Sequence, residues 1–278
     1  MTPLDLTLVL FGVGVVAGAL GALLGLGGGF ILVPALTLFF GVNIRLAIGT
    51  SIVAVIATSS GAAVAYLRDH VANMRVGMFL ELATTSGAVS GALLGSVLVP
   101  RALYVIFGLA LVQSGVAVAR RKSVEHRPPQ PPDALADRLR LHGSYPDAAR
   151  GRVVDYRVAR TKLGLGLMYG AGALSGLLGV GSGVLKVPAM DLAMGLPIKV
   201  SSATSNFMIG VTAAASAGVY FDRDDIDPLL AAPIAVGVLL GALLGARLLP
   251  GADPRRLRIL FAVVVLAVAV DMLIKGFT

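Results

Sequence analysis

A run of about twenty residues occurs twice in this chain, 154 positions apart, each time inside apolar sequence. Gly25-Leu26-Gly27-Gly28-Gly29 with Val33-Pro34-Ala35 returns as Gly179-Val180-Gly181-Ser182-Gly183 with Val187-Pro188-Ala189. At the same offset Thr50-Ser51 returns as Thr204-Ser205, and Tyr66 as Tyr220. With the offset shortened to 150, Gly87, Gly91, Gly95 and Pro100 match Gly237, Gly241, Gly245 and Pro250. A duplicated apolar segment broken by Gly and Pro at corresponding positions of two halves points to a transporter built from two related repeats, with its binding site at the breaks.

The rest of the sequence fits that constraint. Apolar residues make up 56% of the chain and charged residues 14%, against roughly 25% charged in soluble domains. Several stretches of about twenty residues carry no charge, enough to cross roughly 30 Å of hydrocarbon as helix. They lack a strong amphipathic period, as expected where every face meets lipid or another helix. The expected class is an all-α polytopic membrane protein. The first apolar stretch reads as a transmembrane helix and not as a cleaved leader, because it has no basic start and runs too long. The chain has no cysteine, which removes disulfides, thiolate metal sites and any thiol relay.

The net charge of +8 does not signal nucleic acid. Residues 120–162 hold 11 Lys/Arg against 5 Asp/Glu, so most of the excess lies in one polar segment. A basic loop between membrane segments follows from the positive-inside rule. Residues 1–119 form a first transmembrane repeat, 120–162 a basic, Pro-rich cytoplasmic linker, and 163–278 a second repeat. Within the linker, 134–141 suits a short surface helix and the remainder a flexible tether, with docking of a partner as the alternative role.

Half one is expected to form helices at 6–24, 30–41, 45–67, 76–98 and 102–119. Half two is expected to mirror it at 163–178, 184–195, 200–221, 229–249 and 256–274. The 30–41 and 184–195 pieces are too short to cross alone at 1.5 Å per residue, so each half is expected to contain a broken or re-entrant helix after its glycine loop. The turn at 68–75 holds Arg68, Asp69, His70 and Arg75, whereas its half-two counterpart is acidic (Asp222, Arg223, Asp224, Asp225, Asp227) and the following turn basic (Arg247, Arg255, Arg256 and Arg258 against Asp253). Opposite charge polarity in the two halves argues for inverted repeats, with both chain ends outside. Parallel repeats with four crossings each are the alternative.

Glycine loops expose backbone N–H groups, and the helix that follows leaves its first amides unpaired with a partial positive charge. Gly27, Gly28 and Gly29, with Gly181, Ser182 and Gly183, are therefore the expected anion cradle at mid-membrane depth. Gly14 and Gly18, Gly87, Gly91 and Gly95, and Gly237, Gly241 and Gly245 have the i, i+4 spacing of packed helices and carry no such role. Lys186 stands alone in apolar sequence next to the second loop, where a cation is costly and opposes the helix dipole. A bound anion would relieve both penalties; pairing with Asp191 or snorkelling to the interface are the alternatives. Its counterpart in half one is Leu32.

The hydroxyl clusters Thr50-Ser51 and Thr204-Ser205-Asn206 can donate to an oxyanion without a fixed charge, or bond back to helix carbonyls. Glu81, Asp191 and Asp271 are the intramembrane carboxylates, and Glu81 and Asp191 are the better placed to carry a coupling proton. Arg45 and Lys199 mark matched positions before the Thr-Ser helices and either draw anions inward or mark the membrane boundary. The three histidines show no metal-ligand spacing, and no cofactor is called for.

These residues together resemble the sulfite exporter TauE/SafE family, also called the toluene sulfonate uptake permease family. The resemblance rests on the glycine loop and trailing proline, Gly25 to Pro34, on its second copy, Gly179 to Pro188, and on the Thr-Ser elements downstream. It covers nearly the whole chain outside 120–162. It implies a secondary transporter that exports or takes up small sulfur-containing anions such as sulfite or organosulfonates across the bacterial cytoplasmic membrane, with protons as a coupling ion. A passive anion channel and an uptake permease for another small organic anion remain alternatives. No zinc motif, catalytic Asp pair or Ser/Lys dyad suggests an enzyme.

Overall fold

The structure is a computed structural model and describes residues 3–24, 28–68, 71–119, 133–147, 152–181, 183–248 and 254–277. Half one consists of α1 (Pro3–Leu24), α2 (Gly29–Phe39), α3 (Ile44–Arg68), α4 (Met74–Val97) and α5 (Pro100–Ala119). The connection holds α6 (Ala134–Arg138) and the strands β1 (Gly143–Asp147) and β2 (Arg152–Tyr156). Half two consists of α7 (Thr161–Leu178), α8 (Gly183–Pro188), α9 (Ile198–Phe221), α10 (Pro228–Leu248) and α11 (Pro254–Phe277). Among the described residues three windows, Leu4–Gly21, Ile44–Gly61 and Met74–Val97, are long and apolar enough to cross a membrane. Shorter apolar stretches lie in α2, α5 and α10. Leu82, Val97, Phe221 and Leu229 are large, apolar and exposed, as lipid-facing side chains are.

Local chemistry sets the helix ends. Pro100, Pro228 and Pro254 each stand first in a helix, where a missing N–H costs nothing. Asn73 caps α4, its Oδ1 accepting from Val76 N at 3.0 Å. Gly179 ends α7 with φ +67°, the left-handed conformation open to glycine, and its N–H reaches Ser175 O at 2.8 Å. The expected helix at 184–195 is instead interrupted. Pro188 closes α8, and a π turn (Ala189–Ala193) follows, its first carbonyls taken up by Met194 N on Ala189 O (3.3 Å) and Leu196 N on Met190 O (3.0 Å).

The helices pair across the halves. α1 packs on α10 and α4 on α7, while α3 meets α9 and α5 meets α11. Exchanging equivalent helices of the two halves leaves this set of partners unchanged. Glycine permits the two closest contacts. A β-carbon on Gly18 or Gly241 would run into the backbone of Val238 or Val15, and one on Gly91 or Gly176 into that of Ala173 or Ala88. The i, i+4 glycines are therefore packing surfaces, as expected from their spacing.

Contacts also fix which ends lie together. α4 starts beside the connection, where Asn73 Nδ2 donates to Leu141 O (2.9 Å) and to Tyr156 Oη (2.8 Å). α9 starts at the same face, since Asn73 N donates to Thr204 Oγ1 at 2.9 Å. α3 starts at the other face, where Arg45 Nη2 reaches Leu98 O at 2.9 Å past the end of α4. The acidic 222–227 turn is also at that end, with Arg223 donating to Ala92 O at 3.0 and 3.1 Å.

The described parts of the connection, 133–147 and 152–160, pack on the helical body. β1 and β2 pair antiparallel with Tyr145 opposite Val154. Tyr145, Leu141, Ala136 and Val158 join a buried cluster with Val76, Leu80 and Met194 of the helical body. The alternation from exposed Val153 to half-buried Val154, exposed Asp155 and half-buried Tyr156 is a strand period that the basic composition obscures. The short helix within 134–141 is present as α6, capped by Asp133.

Candidate functional site

The two glycine loops meet inside the helical body. Gly28 (φ +72°) turns the chain into α2, and the next residue, Gly29, lies against the second loop: a β-carbon there would stand 2.7 Å from Gly179 O and 2.9 Å from Val180 Cα. Only glycine allows that approach. Gly181 (φ +76°) sits against Val55 of α3 and Ile209 of α9. Ser51 Oγ spans the contact, donating to Ile48 O at 2.9 Å and to Gly179 O at 2.6 Å. Tyr220 Oη donates to Gly176 O (2.7 Å) and Leu177 O (3.2 Å), holding the end of α7 just before its loop.

Lys186 lies three residues past Gly183 and is fully buried. Its Nζ donates to Thr212 Oγ1 at 2.6 Å, and Thr212 Oγ1 is 2.6 Å from Glu81 Oε1. Glu81 is 8% exposed, and its Oε2 is buried without a hydrogen-bond partner. Thr85 Oγ1 donates to Glu81 Oε1 at 3.2 Å. The carboxylate that Lys186 reaches through Thr212 is thus Glu81, on α4, while Asp191 lies partly buried on the π turn.

The other expected residues separate into two groups. Gly28, Gly29 and Gly181 are brought together with Ser51, whose hydroxyl is committed to carbonyls. Thr50 Oγ1 on α3 and Ser205 Oγ on α9 are buried with no hydrogen-bond partner, and Asn206, next to Ser205, is buried too. Thr204 accepts from Asn73 N and so ties α9 to the start of α4. Gly183 begins α8. Gly27 and Ser182 lie outside the described residues. Arg45 binds the carbonyls of Ser96 and Leu98 (3.3 and 2.9 Å) and so staples α3 to the end of α4. Asp271 is exposed on α11.

Thr212 and Tyr220 lie outside the set of expected site residues. Thr212 had a signal: it matches Thr58 at the same 154-residue offset as the glycine loops. Thr58 bonds back to Ala54 O at 2.8 Å, and its hydroxyl stands 3.8 Å from a β-carbon placed on Gly28. Near the loops, a small pocket with room for about one water is lined by Phe30, Gln113, Ser114, Leu178, Val180 and Leu185.

Comparison with known proteins follows the same lines. A family model described as Sulfite exporter TauE/SafE matches residues 10–272. The probable membrane transporter protein YunE of Bacillus subtilis is 25% identical over 275 residues, covering 96% of this chain and 97% of that one. A probable membrane transporter protein of Xylella fastidiosa is 28% identical, covering 95% and 93%. The probable membrane transporter protein MJ0441 of Methanocaldococcus jannaschii is 23% identical, covering 94% and 93%. No solved structure matches the chain at a significant level.

Proposed function

Because this chain belongs to the sulfite exporter TauE/SafE family, we propose that it exports small sulfur-containing anions such as sulfite or organosulfonates across the bacterial cytoplasmic membrane. The observation that carries the reading is the meeting of Gly29 with Gly179 and Val180, with a fully buried lysine six residues further along the chain. Two short helices begin there, and helix starts attract anions. Lys186 adds the fixed positive charge, and the unpartnered hydroxyls of Thr50 and Ser205 add neutral donors that hold cargo without trapping it.

Inverted repeats are the arrangement this mechanism uses, and the contacts between helix ends support them. α3 starts at the face away from the connection, whereas its counterpart α9 starts at the connection. Gly14 and Gly18 of α1 meet Ile234 and Val238 of α10 in parallel register, so α1 and α2 enter from one face. Gly87 and Gly91 of α4 meet Tyr169 and Ala173 of α7 in parallel register, so α7 and α8 enter from the other. Each pair then returns to its own face: Lys275 near the end of α11 donates to Thr37 O at 3.2 Å, and Ala159 N of the connection donates to Met194 O at 3.0 Å. Two re-entrant pairs meeting tip to tip leave the site open to one side at a time when they rock.

Radiolabelled sulfite and methanesulfonate flux in proteoliposomes, with and without a pH gradient, tests the reading. Uptake above empty liposomes that is stimulated by unlabelled substrate on the far side is expected. Flux without trans-stimulation would make the protein a channel, and no flux of either anion would overturn the proposal.

A further inference from the structure

We propose that Glu81 is a built-in stand-in for the transported anion: it neutralises Lys186 through Thr212 when the site is empty, and it yields Lys186 to the cargo by taking one proton on Oε2. This rests on the anion-transport reading above.

The two charged residues are each a departure from the duplication. Lys186 replaces the leucine of the first copy (Leu32), and Glu81 has Ala231 as its counterpart at the shorter offset. Thr212, which joins them, keeps its counterpart in Thr58. A symmetric scaffold thus carries one asymmetric charge pair, and the fold brings its members together from α4 and α8 onto α9.

The bridge is reversible because a threonine hydroxyl has one proton and two acceptor positions. Thr212 Oγ1 accepts from Lys186 Nζ at 2.6 Å and has two acceptors for its own proton, Glu81 Oε1 at 2.6 Å and Met208 O at 2.8 Å. With Glu81 ionised, the hydroxyl points at the carboxylate and closes the bridge. With Glu81 protonated, it turns back to Met208 O, a bond any helical threonine can make. Oε2, buried and without a hydrogen-bond partner, is where that proton goes.

Charge balance explains why the exchange is feasible in a low-dielectric interior. The ammonium with the carboxylate is neutral; the ammonium with a protonated Glu81 and a monovalent anion is neutral too. No state leaves a buried charge uncompensated, the condition that makes buried ions so costly. The step moves one proton onto Glu81 and one anion onto Lys186, with no electron transfer, so cargo and proton bind together.

The other charged or titratable groups on the elements packed against α4 are Lys162 and Tyr169 of α7, Lys199 and Tyr220 of α9, Asp191 of the π turn, Arg223 after α9, and Tyr145 and Tyr156 of the connection; Tyr220 Oη is held on Gly176 O and Tyr156 Oη accepts from Asn73 Nδ2. Lys162, Tyr169 and Lys199 are exposed, Tyr169 Oη donates to Ser90 Oγ at 3.1 Å, Asp191 is partly buried, and Arg223 is spent on Ala92 O. On α4 itself, Arg75 is exposed and faces the connection, donating to Arg140 O at 3.3 Å.

The test is equilibrium binding of radiolabelled methanesulfonate to the purified full chain in nanodiscs from about pH 5 to about pH 9, a range over which a sulfonate keeps its charge. Wild type is expected to bind more tightly as pH falls, by up to about tenfold per unit, the slope of one proton per anion. Glu81→Gln is expected to bind at least as tightly as wild type at its best and to lose the pH dependence. Thr212→Val is expected to flatten it as well, and Lys186→Arg to keep it. A Glu81→Gln protein that binds with an unchanged pH slope overturns the exchange and leaves anion transport standing. Wild type that binds neither methanesulfonate nor sulfite at any pH overturns the transport reading, and the exchange with it. Monodisperse elution and a single cooperative melting transition of Glu81→Gln in detergent establish that its binding is read on folded protein.

Discussion

Ser51 of the first repeat donates its hydroxyl to the carbonyl of Gly179 in the second, at 2.6 Å. Its repeat partner Ser205 is equally buried but has no hydrogen-bond partner. The same residue at the same place in the duplication therefore does two jobs. Ser51 locks the loops together, and Ser205 keeps a free hydroxyl.

The two serines should separate in experiment. Ser51→Ala leaves Gly179 O short of a donor in a buried setting, a loss of about 1–3 kcal/mol, and is expected to lower the melting temperature in detergent. Ser205→Ala removes an unpaired group and is expected to leave stability within about 0.5 kcal/mol, while reducing anion flux. Equal melting temperatures for the two variants would show that the Ser51 bond does not hold the loops.

Much of this arrangement could be read from sequence because duplication is itself a sequence property. The offset aligned the glycine loops, the Thr-Ser pairs and the helices, and the i, i+4 glycines announced their packing. The meeting of Glu81 with Lys186 could not be read. It depends on α4 and α8 converging on α9, and no local period encodes which membrane helices touch when all faces are apolar. Thr212 lay hidden for a different reason, since isolated threonines are common in such helices. The β1–β2 pair is not legible in the sequence because charge and proline dominate the connection's composition, masking four residues of strand alternation ending at Tyr156.

Lys186 and Glu81 should show strong coupling in a double-mutant cycle. Lys186→Met leaves Glu81 buried against a neutral partner and is expected to cost about 3–5 kcal/mol, with flux abolished. The double variant Lys186→Met/Glu81→Gln is expected to recover most of that stability and none of the flux. Additive losses, measured by thermal unfolding, would mean the two side chains do not interact through Thr212.

Close helix contact makes some glycines irreplaceable and others not. Gly91→Ala drives a methyl into the Ala173 backbone, and overpacking of this kind costs about 1–3 kcal/mol or more. Gly170, on the same α7 helix, has nothing within 4 Å of an added β-carbon. Gly170→Ala is expected to be neutral or to stabilise by up to about 1 kcal/mol through helix propensity. Detergent melting curves for the pair check the packing of α4 on α7 independently of transport.

Orientation has a direct readout. With the basic connection in the cytoplasm, the start of α1 and the end of α11 fall on the outer face, because α10 and α1 run in parallel register and Gly276 of α11 lies beside Arg101 O at the start of α5. An alkaline phosphatase fused after residue 278 should be active in cells, and a green fluorescent protein at the same place dark. The reverse pattern would replace inverted repeats with parallel ones.

Asp133 supplies a pH-dependent latch on the connection. Its Oδ1 accepts from Leu135 N (3.0 Å) and Ala136 N (3.1 Å), and its Oδ2 from Thr161 N (2.7 Å) and Thr161 Oγ1 (2.9 Å), joining α6 to the start of α7. Burial pushes this carboxyl upward, but the bonds from Thr161, Ala136 and Leu135 together outweigh it and hold the group below the usual carboxylate range. A folded-state value below the unfolded one means stability that is complete above about pH 4 and disappears as pH falls through the depressed folded value. Protection of the β1–β2 amides, corrected for the intrinsic pH dependence of exchange, should therefore fall at acid pH in wild type. Asp133→Asn, which cannot ionise and loses a charged cap worth about 1 kcal/mol, should exchange faster at neutral pH and change less on acidification. Identical acid profiles in the two proteins would mean that another carboxylate holds the connection in place.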